Sequence, residues 1–162
     1  MPRRHLRQLG HLRPALAREE DTGARGYPRP QLRRKDWHSL NGIWAFEIDP
    51  DGQFERPDGP SFSGEICVPF SPETARSGIG DTGLYRACWY RRRVEVPELG
   101  SEQRLILHFG AVDHDATVWI DNVLVGRHEG GYTPFSFDVT EQVRGAKEIT
   151  VVVRAFDDPA DL

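Results

Sequence analysis

Apolar residues recur at every second position through short stretches of this chain, and turn-forming residues separate the stretches. Trp44, Phe46 and Ile48 share one face of residues 42–49, the period of a half-buried strand. Pro50-Asp51-Gly52 ends that strand in a turn. A short strand over residues 65–68 stops at Pro69, and another over 88–96 stops at Pro97. Residues 104–109 follow, with Leu105, Leu107 and Phe109 turned inward. Ala116, Val118 and Ile120 then alternate with Thr117, Trp119 and Asp121. Asp121-Asn122 suits a two-residue hairpin turn because both residues tolerate positive φ. Val123 and Val125 carry the alternation onward, residues 126–131 read as a polar bend bearing His128-Glu129-Gly130-Gly131, and Phe135 and Phe137 resume a strand. Residues 140–143 predict one helical turn, capped by Asp138 or Thr140. On the last strand, residues 148–155, Ile149, Val151, Val153 and Ala155 face the core. Val152 on the opposite face predicts that this strand is covered in part on both sides. About eight strands without a long helix predict an all-β, two-sheet sandwich.

Composition agrees: 162 residues suffice for one domain with a real core, and 16 Gly and 12 Pro suit many turns. The net charge of −4 is unevenly spread. Residues 1–35 hold ten basic and three acidic residues, a balance of +7, whereas the remainder holds 11 basic and 22 acidic, a balance of −11. The acidic body argues against a nucleic-acid surface. Residues 1–26 read as a basic, disordered tail, and Tyr27-Pro28-Arg29-Pro30 as the approach to a domain over 27–162 that Trp37 and Leu40 anchor. With no apolar leader and no long apolar run, the expectation is a cytoplasmic protein without a membrane partner. Cys67 and Cys88 lie in strands and read as buried free thiols.

Few motifs carry chemistry. Gly78-Ile79-Gly80-Asp81-Thr82-Gly83 has the spacing of a phosphate cradle, but no strand precedes it and no helix follows. It reads as a loop whose glycines permit positive φ. The surrounding residues, 69–87, are long enough to be functional or packed over something. His128-Glu129 cannot be a zinc protease motif, because Tyr132 stands where the second His is needed. Adjacent side chains in Asp113-His114-Asp115 point to opposite faces, which disfavours a chelate. Asp49-Pro50-Asp51-Gly52 lacks the remaining ligands of a calcium loop and reads as a turn. Arg91-Arg92-Arg93 alternates across a strand and reads as ion-paired or sheet-covering. No nucleophile and base emerge, no cofactor or metal site is expected, and no residue is assigned a catalytic role.

Four segments in order carry a resemblance: Leu40-Asn41-Gly42-Ile43-Trp44-Ala45-Phe46, Trp89-Tyr90-Arg91-Arg92, Ala116-Thr117-Val118-Trp119-Ile120-Asp121-Asn122, and Val125-Gly126-Arg127-His128-Glu129-Gly130-Gly131-Tyr132-Thr133-Pro134-Phe135. Together they resemble the N-terminal sugar-binding domain of glycoside hydrolase family 2, which includes β-galactosidases, β-glucuronidases and β-mannosidases. The resemblance implies a jelly-roll β-sandwich of the galactose-binding-domain type, incomplete at its C-terminus. It implies a parent retaining β-glycosidase whose immunoglobulin-like domain and TIM barrel are absent here, so that this chain alone is inactive. It implies a β-glycoside ligand and the parent's barrel as partners, with a homo-oligomer possible. Loops of such domains reach toward the barrel mouth. By that analogy the rim candidates are Ser77 and Asp81 in residues 77–82, His128 and Glu129 in the bend, and Asp158 in the run of Asp157, Asp158 and Asp161. The alternative is a free-standing carbohydrate-binding module without catalytic activity.

Overall fold

A computed structural model describes residues 36–158; the basic tail, Tyr27-Pro28-Arg29-Pro30 and Asp161 lie outside the described residues. Eight strands form: β1 (Gly42–Asp49), β2 (Gly64–Val68), β3 (Ala87–Glu95), β4 (Ile106–Phe109), β5 (Asp115–Ile120), β6 (Val123–Glu129), β7 (Phe135–Asp138) and β8 (Glu148–Phe156). A single α-helical turn, α1 (Thr140–Val143), precedes β8. Six strands make one sheet in the order β2-β1-β3-β8-β5-β6, and β4 pairs with β7 in a second. Every pairing is antiparallel. The chain is a jelly-roll β-sandwich.

The inner face of the large sheet carries the alternation that the sequence predicts. Trp44, Phe46, Ile66, Val118, Ile120, Val151 and Val153 are buried in one cluster, and Leu107, Phe109 and Phe137 of the small sheet pack against it. Contact between the sheets is closest at Gly126, where a Cβ would lie 2.3 Å from the Phe137 ring. Thus Gly126 is the site of a close approach rather than a break, and β6 continues through it. The predicted bend over residues 126–131 is corrected accordingly: His128 and Glu129 belong to the strand, and the chain turns only after them. The hairpin before β6 is as expected, with Asp121 and Asn122 at φ 48° and 66°. Asp121 also accepts a hydrogen bond from the Thr150 backbone N–H at 2.8 Å, which fixes the turn to β8.

The outer face is covered over part of its width. Trp89 stacks on Trp119 with ring centroids 5.4 Å apart, and Phe62, Ala87 and Val152 complete this second cluster, with Phe54 against it. Val152 is buried there as its phase predicts. Phe54 and Phe62 come from the polar segment between β1 and β2. Two carboxylates hold that segment down. Asp49, itself buried, accepts from the backbone N–H groups of Gln53 and Phe54 at 2.9 Å each. Glu47 accepts from Ser61 Oγ at 2.9 Å and from the Ser63 backbone at 2.8 Å. The Ser63 backbone bond is the main reason that the Glu47 carboxyl sits below its ordinary pKa. Arg91 lies over the Phe62 ring at 4.1 Å, Arg93 pairs with Glu148 at 3.8 Å, and Arg92 donates to the Leu40 and Asn41 carbonyls. That last contact, with Trp44 Nε1 donating to Leu40 at 2.7 Å, anchors the arm before β1.

Candidate functional site

One end of the sandwich gathers the residues of interest. There the cross-strand partners Asp49, Ala87, Phe156, Asp115 and Glu129 form a row on the outer face. One step inward, Glu47, Trp89, Arg154, Thr117 and Arg127 form the next row on the same face. Backbone bonds tie the loops of this end together. Arg86 donates to Pro50 at 3.1 Å and accepts from Asp157 at 2.9 Å; His114 donates to Phe156 at 3.3 Å and accepts from Gly130 at 3.0 Å.

The five predicted rim residues divide between the two faces. Asp158 and Glu129 belong to the outer side: Asp158 pairs with Arg86 at 3.1 Å, and Glu129 is exposed at the end of β6. His128, one residue before Glu129, points through the sheet to the other face. Its ring stacks on Phe135 with centroids 4.2 Å apart, and Nε2 lies 3.0 Å from Thr133 Oγ1. Phe135 stacks in turn on Phe109 at 4.7 Å. His128 therefore joins the sheets through an aromatic stack and fixes the loop that carries Tyr132, which is 95% exposed.

Ser77 and Asp81 lie in the long connection between β2 and β3. Ser77 is fully buried: its hydroxyl donates to Thr74 O at 2.8 Å and accepts from Ile79 N at 3.0 Å. This hydroxyl holds the loop's shape and offers nothing outward, contrary to its expected place on a rim. Asp81 is what the loop presents. It is exposed, and one carboxylate oxygen accepts from the Gly83 N–H at 2.8 Å. Gly78 and Gly80 take positive φ, 87° and 68°, as the turn reading of the glycine pattern requires. Ile79 and Tyr85 press the loop onto the inner core, and Tyr85 donates to Glu73 at 3.3 Å. Burial, reinforced by the nearby Glu73 and Asp81, pushes the Cys88 thiol up to about 12. Cys67 and Cys88 are both buried and free.

Beside Glu129 the outer face opens into a groove of about 820 Å³, which is in the range of small-molecule sites. Thr117, Trp119, Arg154 and Phe156 line its sheet side, Asp115, Arg127 and Glu129 stand on one flank, and Asp51, Glu55 and Arg86 on the other. The sequence reading missed this groove. Its signal is polar rather than apolar alternation: Asp115 with Thr117, Arg127 with Glu129, and Arg154 with Phe156 each sit two apart on one face. Among the described residues, no three His, Cys, Asp or Glu side chains gather to hold a metal. No described helix is long and apolar enough to cross a membrane.

Comparison with known proteins agrees with the resemblance. Residues 80–161, just over half of the chain, match the family described as glycosyl hydrolases family 2, sugar binding domain. A β-glucuronidase of Streptococcus agalactiae is 32% identical over 130 residues, which cover 76% of this chain and 20% of the relative. A β-galactosidase of Thermoanaerobacter pseudethanolicus is 41% identical over 114 residues, covering 67% of this chain and 14% of the relative. Among solved structures, the Faecalibacterium prausnitzii β-glucuronidase superposes with a TM-score of 0.62 at 31% identity, over 74% of this chain and 20% of that one. The chain thus spans about a fifth or less of the relatives it matches.

Proposed function

We propose, from the premise that this chain belongs to glycosyl hydrolase family 2 through its sugar binding domain, that it orients the sugar end of a β-glycoside for a retaining β-glycosidase. The observation that carries this reading is the position of the family match. It spans β3 to β8 and includes Asp81, His128, Glu129 and Asp158. The names of the relatives favour β-glucuronides first and β-galactosides second.

The division of labour follows from the residues present. In such an enzyme two carboxyl groups, an acid and a nucleophile, flank the scissile bond. In our reading they belong to a separate barrel domain. This domain supplies positioning groups: Asp81 and Glu129 as hydroxyl acceptors, Asp158 held by Arg86, and the loop that His128 steadies. Such groups act by fixing the sugar, and their loss is felt in KM or in kcat according to whether ground state or transition state loses the contact.

The test is hydrolysis of nitrophenyl β-glucuronide and β-galactoside. The 162-residue chain alone is expected to give no turnover. In the enzyme that contains it, Glu129→Ala and His128→Ala are expected to lower kcat/KM about tenfold or more, the effect of removing one charged or oriented hydrogen bond. Wild-type constants in both variants, or robust turnover by the isolated chain, would overturn the reading.

A further inference from the structure

We infer that the outer-face groove is itself a binding site for a pyranose residue of a glycan, with the guanidiniums of Arg127 and Arg154 as donors, the carboxylates of Asp115 and Glu129 as acceptors, and Thr117 between them. The inference uses the family's sugar-binding character and does not depend on hydrolysis.

The groove holds polar groups of both signs that have not satisfied one another. Arg127 and Arg154 flank Thr117 in a single cross-strand row, so their side chains rise from strands about 10 Å apart. Among the described residues neither has a carboxylate partner. Arg154 is also set in place before any ligand arrives. Its guanidinium lies 4.4 Å from the Phe156 ring centroid and 5.8 Å from that of Trp89, and its Nε is buried without a hydrogen-bond partner. Buried donors are almost always satisfied in folded proteins, so an orphan beside an open groove points to a group that the groove receives. Arg86, by contrast, is already tied to Asp158. On the acceptor side, Asp115 has a loose contact with His114 Nδ1 at 3.6 Å, and Glu129 is exposed at the strand end.

The sign balance selects the ligand. Four carboxylates, of Asp51, Glu55, Asp115 and Glu129, line the groove against three guanidiniums. A free anion would meet the acids, and a free cation the arginines. A neutral polyol meets neither penalty, because each hydroxyl accepts from a guanidinium and donates to a carboxylate. The apolar edge of Trp119 in the groove suits the C–H face of a sugar ring. The donors are spaced by the sheet and Arg154 is held by aromatic rings, so little ordering cost remains on binding.

The experiment is a titration of the 162-residue chain by amide-resolved NMR with methyl β-D-glucopyranoside, methyl β-D-glucuronide and sodium sulfate. Saturable shifts at Asp115, Thr117, Arg127 and Arg154 are expected with both glycosides, the neutral one binding at least as well as the uronide. Arg127→Ala is expected to weaken binding about tenfold, and Thr117→Val less, with the rest of the spectrum unchanged. Arg127 is exposed, so its loss leaves the core intact. Shifts with sulfate alone, abolished by salt, would make the groove an anion site and overturn the inference. So would glycoside shifts confined to Asp81 and the loop after β6. Failure of hydrolysis in the enzyme leaves this result untouched, and failure here leaves the rim residues untouched.

Discussion

The two faces of the six-stranded sheet use the same strands for opposite ends. On β8, Val151 and Val153 sink into the inner core, while Val152, Arg154 and Phe156 point the other way. The inner face meets a second sheet along its whole middle. The outer face has only the segment between β1 and β2 for a cover, pinned by Glu47 and Asp49, and the segment stops short of β5 and β6. Where the cover ends, the side chains change from Trp and Val to Arg, Asp and Thr. Stability is concentrated on one face, and recognition groups stand on the uncovered part of the other.

Substitutions can break or sharpen this contrast. Trp44→Ala strikes the inner face and should cost about 3–5 kcal/mol; an unchanged denaturation midpoint would mean that the inner core does not carry the fold. Gly126→Ala tests the contact between the sheets, because the new methyl group collides with Phe137. About 1–3 kcal/mol of destabilisation is expected, again read from the denaturation midpoint. The smallest effect lies at the rim of the small sheet. Hydrogen bonds from the Thr140 hydroxyl and from Arg104 hold the Asp138 carboxyl at about 2, below its ordinary 3.8. A depressed carboxyl stabilises the fold fully above its unfolded value and loses that contribution as the pH falls through its folded one. The Asp138 contribution should therefore fade between about pH 4 and pH 2. Asp138→Asn should flatten that part of the stability profile, leaving the neutral end slightly lower.

Much of this architecture is legible in the sequence because a period of two is a direct physical signal. Trp44-Phe46-Ile48, Ala116-Val118-Ile120 and Ile149-Val151-Val153 show their buried faces without further information. Asp121-Asn122 declares its turn by conformational tolerance. Gly126 shows where that reasoning stops. A glycine that breaks a strand and one that admits a ring from another sheet look alike until the partner, Phe137, is placed. Ser77 is similar: a serine in a glycine-rich loop gives no sign that its hydroxyl is consumed within the loop. Phe54 and Phe62 were hidden because cover segments have no period. The groove was hidden because unpaired Arg127 and Arg154 become a site only when β5 and β8 lie side by side. For the rim candidates, spacing could not tell that adjacent His128 and Glu129 serve different faces in the fold, although strand geometry demands it once β6 is extended.

The sheet order has a consequence for how the molecule is made. β8 is the last of the strands to leave the ribosome, yet it lies between β3 and β5. Until residues 148–156 emerge, β2-β1-β3 and β5-β6 are two separate half-sheets, each with a bare edge waiting for the same strand. Closure is one late, long-range event. A nascent chain paused before β8 therefore exposes Trp89 and Trp119 apart from each other, their stacking partner on the far side of a gap that only the final strand can fill.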